Sequence, residues 1–145
     1  MVRTVRWGVW GGLGSVLTAA LVGCSGGEGR VPVYPVAGKV TVKGETPAGA
    51  LVVFHPAGGS ADAVRPTGKV RDDGTFAVTT YDGEDGAPAG DYAVTVQWNK
   101  LVKKGNDYQA GPNAVPQPYS HPDATPWKVK IAAARNDLEP RDLVK

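Results

Sequence analysis

Several stretches of this chain alternate apolar and polar residues with a period of two, the repeat of a strand that buries one face. "GKVTVKG" sets Val40 and Val42 against Lys39, Thr41 and Lys43. "GALVVFHP" is almost continuously apolar, with Val52 and Phe54 expected inward. "TGKVRDDGTFAVTTYDG" reads as two short strands around Asp73-Gly74, a hairpin signal, with Phe76 and Val78 on one face. "GDYAVTVQW" alternates most clearly, with Tyr92, Val94, Val96 and Trp98 one way and Ala93, Thr95 and Gln97 the other. "PWKVKIAA" sets Trp127, Val129 and Ile131 against Lys128 and Lys130, and a last short strand is expected over about Leu138 to Val144. No 3.6-residue period appears after residue 30. Seven short strands with one apolar face each suit an antiparallel sheet wetted on one side, and two such faces packed together make an all-β sandwich. The 20 glycines and 12 prolines fit short strands with many turns.

The N-terminal residues follow a different pattern. Arg3 and Arg6 precede an uncharged, apolar run from Val9 to Val22. A basic start and a short apolar centre form the layout of a secretory signal. Fourteen helical residues span roughly 21 Å, short of the ~30 Å hydrocarbon core, so a full membrane crossing is not expected. The run ends in Leu21-Val22-Gly23-Cys24, and Cys24 is the only cysteine of the 145 residues. These four positions resemble the lipobox of bacterial lipoproteins. The resemblance implies cleavage before Cys24 and a lipid-bearing thiol there. Two or more acyl chains hold a protein stably on a bilayer, at about 0.8 kcal/mol per buried CH₂. Ser25 stands where an inner-membrane retention aspartate occurs in some such proteins, which implies the outer membrane or cell surface. The expected organisation is thus a lipoprotein signal peptide over 1–23, a flexible Gly/Ser/Pro tether over 24–35 and a sandwich domain over 36–145.

Charge narrows the function classes. Lys and Arg number 16 and Asp and Glu 14, and loss of Arg3 and Arg6 with the signal leaves a balanced mature chain. A balanced domain gives no electrostatic reason to expect nucleic-acid binding. One cysteine permits no intramolecular disulfide.

Three motifs carry a family resemblance. Gly49-Ala50 enters the second strand, Asp73-Gly74 sits in the hairpin, and Pro88-x-Gly90-x-Tyr92 enters the fifth strand. Their order over roughly Val36 to Val144 resembles the carboxypeptidase regulatory-like domains of the transthyretin-like superfamily, as in small secreted planctomycete lipoproteins. The resemblance implies a seven-stranded antiparallel Greek-key sandwich. It implies no catalytic set. The superfamily includes hydroxyisourate hydrolases, whose Tyr-Arg-Gly-Ser ending is replaced here by Arg-Asp-Leu-Val-Lys.

The candidate chemistry outside Cys24 is sparse. Asn99 to Pro126 holds five prolines and reads as a long irregular loop. Its Tyr108, Tyr119 and His121 either offer a stacking and hydrogen-bonding surface for a sugar or peptide, or belong to a loop that only bridges two strands. Asp72, Asp73, Asp82, Glu84 and Asp85 are acids in turns, but their spacing misses the EF-hand template for calcium. Lys39 or Lys43 with Asn136 and an acid has the chain order of an internal isopeptide bond, as in the similar collagen-adhesin B-type domains. The alternation, however, turns both lysines to water. Two histidines, His55 and His121, without patterned carboxylates make a poor metal site, and there is no Gly-x-Ser-x-Gly nucleophile elbow. The chain reads as a non-enzymatic envelope lipoprotein without cofactor or metal. Its sandwich is expected to be a structural, adhesive or interaction module for an envelope protein or glycan. The alternative is a carbohydrate- or calcium-binding protein using residues 99–126.

Overall fold

The alternating stretches become strands wherever one face finds a core to cover. The computed structural model describes residues 29–60 and 62–144. The apolar run, the lipobox and Cys24 lie outside the described residues. The strands are β1 (Val36–Val42), β2 (Leu51–Pro56), β3 (Thr67–Lys69), β4 (Thr75–Thr79), β5 (Gly90–Gln97), β6 (Asn99–Lys104), β7 (Asp107–Asn113), β8 (Lys128–Ile131), β9 (Asn136–Asp137) and β10 (Arg141–Leu143). A short 3₁₀ helix, Gln117–Ser120, lies between β7 and β8. The described chain is therefore all-β. Its main sheet runs β10-β1-β4-β3-β2-β5-β8, β9 also pairs with β1, and β6 and β7 form a separate two-stranded sheet. Pairing is antiparallel except where β9 and β10 lie parallel to β1.

Strands β1, β2, β4 and β5 turn their apolar sides to one core, and the sheet wraps over itself to keep that side dry. Val40, Val52, Phe54, Phe76, Val78 and Val94 are fully buried. Strand β4 carries the wrap: Thr75 to Ala77 pair with β1, while Val78 and Thr79 pair with β3. Four aromatic rings lock the layers. Phe54 meets Phe76 at 6.4 Å and Tyr92 at 6.0 Å between centroids, and Phe76 meets Trp127 edge-on at 6.3 Å. Buried residues of this size each contribute about 1.5–3 kcal/mol through burial alone. The result is a sandwich-like closure around one core.

The turns form as their residues dictate. Asp73 Oδ1 accepts from Thr75 N at 2.9 Å and from Thr75 Oγ1 at 2.6 Å, which closes the β3–β4 turn. Thr75 draws the Asp73 carboxyl below the ordinary aspartate range, chiefly through its hydroxyl. At the β5 corner the Tyr92 hydroxyl donates to Pro88 O at 2.8 Å, so the ring fills the core while its polar end is satisfied. The loop before that corner is organised by Asp85. Its carboxylate accepts from Thr80 N at 2.7 Å, Tyr81 N at 3.0 Å and Asp82 N at 3.2 Å. Desolvation pushes this carboxyl up, but the three amides outweigh it and hold it below the usual range.

One expectation needs correction. The stretch from Asn99 was expected to be irregular, yet residues 99–113 form the β6–β7 hairpin and residues 117–120 a 3₁₀ turn. No face of the hairpin is buried, so no apolar stripe marks it. The expected final strand is present as β10, three residues within the Leu138 to Val144 stretch at the edge of the sheet; it and the preceding β9 lie parallel to β1.

Strand direction fixes the poles of the domain. Strands β1, β4, β3, β2 and β5 are successively antiparallel, so β5 runs in the same sense as β1. Tyr34, which leads into β1, pairs with Ala87, which leads into β5. At the other pole Lys100 Nζ, just past β5, bonds both oxygens of Glu45, just past β1, at 2.9 Å. The chain therefore enters the domain at one pole and the hairpin leaves from the opposite one.

Candidate functional site

Two features stand out from the sandwich, one at each pole. The β6–β7 hairpin contains much of the 99–126 segment. Its turn is Lys104-Gly105-Asn106-Asp107, with Gly105 at φ +67° in the first central position, as a two-residue hairpin turn requires. Pairing sets Leu101 opposite Ala110, Val102 opposite Gln109, and Lys103 opposite Tyr108. Leu101, Lys103, Tyr108 and Ala110 therefore share one face. Leu101 is 71% exposed and Tyr108 67%, so this face has no cover. At the base, Lys100 Nζ lies 4.3 Å from the Trp98 ring centroid as well as on Glu45, which ties β6 to the body. Lys103 and Lys104 have no ion-pair partner among the described residues.

The second feature is a cleft of about 620 Å³ at the pole where the chain enters. Its floor follows from register. Ala93 of β5 pairs with His55 of β2 on one side and Lys128 of β8 on the other. A methyl group between two long side chains leaves a depression on the outward face. Asp91 and the Pro122-Asp123 turn extend its wall. Inside, His55 Nε2 lies 2.8 Å from the Thr95 hydroxyl, which is buried although Thr95 sits on the polar side of β5. Lys128 Nζ donates to Pro122 O at 3.3 Å. The cleft thus holds a mixed polar surface of His55, Asp91, Asp123 and Lys128.

Burial lowers the His55 pKa first, the Arg65 charge lowers it further, and Asp123 partly opposes both. The folded state therefore prefers the neutral ring. Stability from this group is intact above the unfolded value of about 6.5 and declines as pH falls from there toward the lower folded value. Ring resonances of His55 should titrate below about 6.5 in an NMR series. His55→Gln should flatten the stability loss that sets in as pH falls below about 6.5. An unchanged acid limb in that variant would contradict the assignment.

The other residues singled out from sequence are dispersed. Tyr108 is exposed on β7, Tyr119 is buried in the core cluster, and His121 is exposed after the 3₁₀ turn. They do not make one surface, and none of them lines the cleft. Tyr119 is a packing residue because residues 113–127 fold back along β5. Asn113 Oδ1 accepts from Trp98 N at 2.9 Å, and Thr125 Oγ1 donates to Val94 O at 2.7 Å. The segment does contribute Pro122 and Asp123 to the cleft.

Three of the five acids weighed for calcium are engaged elsewhere. Glu84 pairs with Arg71, Asp73 closes its turn and Asp85 holds its loop. Among the described residues no group of three or more His, Cys, Asp or Glu is placed to hold a metal ion. The Asn136 carboxamide accepts from Ala132 N and donates to Ala132 O and Ala134 O, so it serves a turn and makes no contact with Lys39 or Lys43.

Sequence reasoning missed His55 and Ala93 as a pair, since their juxtaposition depends on which strands are neighbours. Among the described residues no helix is long and apolar enough to cross a membrane. Among family models, curated proteins and solved structures, none matches this chain.

Proposed function

We propose that this chain is a lipid-anchored protein of a bacterial cell envelope, held by acylation of Cys24, whose sandwich is a non-catalytic interaction module. The observation that carries the reading is the N-terminal order itself: Arg3 and Arg6, the apolar run, Leu21-Val22-Gly23-Cys24, then a short Gly/Ser stretch leading to a folded unit that starts at Val31. Ser25 after the cysteine favours the outer membrane or cell surface. The sandwich-like architecture and the Pro88-x-Gly90-x-Tyr92 corner support a transthyretin-like Greek-key domain of the carboxypeptidase regulatory-like kind. The β6–β7 hairpin, which leaves the sandwich with one face uncovered, is its contact element. The partner is an envelope protein or glycan, reached without nucleic acid or cofactor.

Fractionation tests the anchor. Native protein should sediment with membranes and require detergent for release, and Cys24→Ser should appear in the soluble fraction. A Cys24→Ser protein that still sediments like the native one would overturn the reading. The 620 Å³ cleft favours a second reading, a small-ligand binding protein.

A further inference from the structure

We propose that the uncovered face of the β6–β7 hairpin binds an acidic polysaccharide, with Lys103 and Tyr108 as the central pair. This rests on the hairpin being the contact element, and it stands whether or not Cys24 is acylated. Lys103 and Tyr108 are directly opposite in register, so a lysine and an open aromatic ring are cross-strand neighbours on one exposed face. A carboxylated pyranose has the matching parts: an apolar C–H face that lies flat on a ring, and a carboxylate at its edge. Leu101 is diagonal to Tyr108 on the same face and extends the apolar strip toward the base of the hairpin. Lys104 is the next cation along the strand, on the opposite face, and meets a second acidic sugar of a chain that wraps the narrow arm. The hairpin carries three lysines against one aspartate; Lys100 is engaged by Glu45, which leaves Lys103 and Lys104 as the cations without an ion-pair partner among the described residues.

Other occupants fit less well. Leu101 and Tyr108 together expose on the order of 300 Å² of apolar surface, against roughly 800 Å² per partner in a stable protein interface. A second copy would also bring Lys103 and Lys104 against like charges. A flexible polyanion needs neither a large area nor a shaped groove, only spaced charges and a stacking platform.

The test uses the detergent-solubilised full chain and three polymers: polygalacturonate as the acidic glycan, dextran as a neutral one and polyglutamate as an acidic peptide. Titration calorimetry should show binding to polygalacturonate that weakens with salt, and none to dextran. Lys103→Glu with Lys104→Glu should cost at least tenfold, and Tyr108→Ala a few-fold. Lys130→Glu, a charge change on the body, should leave affinity unchanged. All these positions are exposed, and an unchanged thermal midpoint confirms that each variant is folded. Absence of wild-type binding, equal binding to dextran, or full affinity in the double variant would overturn the proposal. Tighter binding to polyglutamate than to polygalacturonate would also overturn it, in favour of an acidic protein partner.

Discussion

Phe76→Ala should destabilise the domain by about 3–5 kcal/mol, close to the cost of emptying a fully packed aromatic site. Phe76 is fully buried and is the ring that touches both Phe54 and Trp127. It also lies where two side chains have been left out. A Cβ on Gly38 would come within 2.7 Å of the Phe76 ring, and one on Gly68 within 3.1 Å. The backbone of β1 and β3 thus closes on the ring from both sides and cannot collapse further when the ring is removed, so the cavity persists. A domain of this size has a total stability of about 5–15 kcal/mol, so the loss is a large fraction of it. With a urea slope of about 2 kcal/mol/M the midpoint should fall by about 2 M. Phe76→Leu, which keeps most of the volume, should cost about 1.5 kcal/mol. Equal small losses for Ala and Leu would show that the ring is not the hub described here.

Gly86→Ala should be comparably damaging, although it adds one methyl group. Gly86 sits at φ +104°, a conformation that costs an L residue about 1–2 kcal/mol. The larger effect is steric. The added Cβ would overlap the Tyr34 carbonyl and stand 2.8 Å from Pro35 N. Relief requires moving Tyr34 away, which breaks both of its hydrogen bonds with Ala87, at 2.9 and 3.0 Å. These bonds fix the strand that leads into β1. A total of about 3–5 kcal/mol follows. Gly49→Ala is the matched control: φ is +79° but no atom lies within 4 Å of the added Cβ. It should show only the backbone cost of about 1 kcal/mol. If the two variants melt together, the close approach at Tyr34 is not a constraint on the fold.

The buried half of this protein was legible from the sequence because burial imposes periodicity. Val52, Phe54, Phe76, Val78, Tyr92, Val94 and Val96 face inward as their alternation indicates. Thr95 breaks the pattern because residues 113–127 return along β5 and cover its polar side, a contact that local sequence does not encode. The β6–β7 hairpin escaped for the opposite reason. With no core to cover, Leu101 and Tyr108 stay exposed and no stripe develops, and only the Gly105-Asn106 turn signals it. The last strand was legible as a short stretch near the C-terminus, but its parallel pairing with β1 through three residue pairs, and the two-residue β9, were not. The cleft depends on His55, Ala93 and Lys128 falling in one row across three strands, which is a property of the sheet order alone.

The two poles are what link this fold to a role. The chain enters where Tyr34 meets Ala87, and the lysine-bearing arm leaves where Lys100 meets Glu45. If Cys24 holds the chain on a membrane, the sandwich carries that arm at the end of its tether. That picture depends on what happens to the N-terminus in the cell. The intact mass of protein extracted from native membranes decides it: the account predicts a chain beginning at Cys24 with fatty-acyl mass added, and a chain that begins at Met1 or carries no acyl group would contradict it.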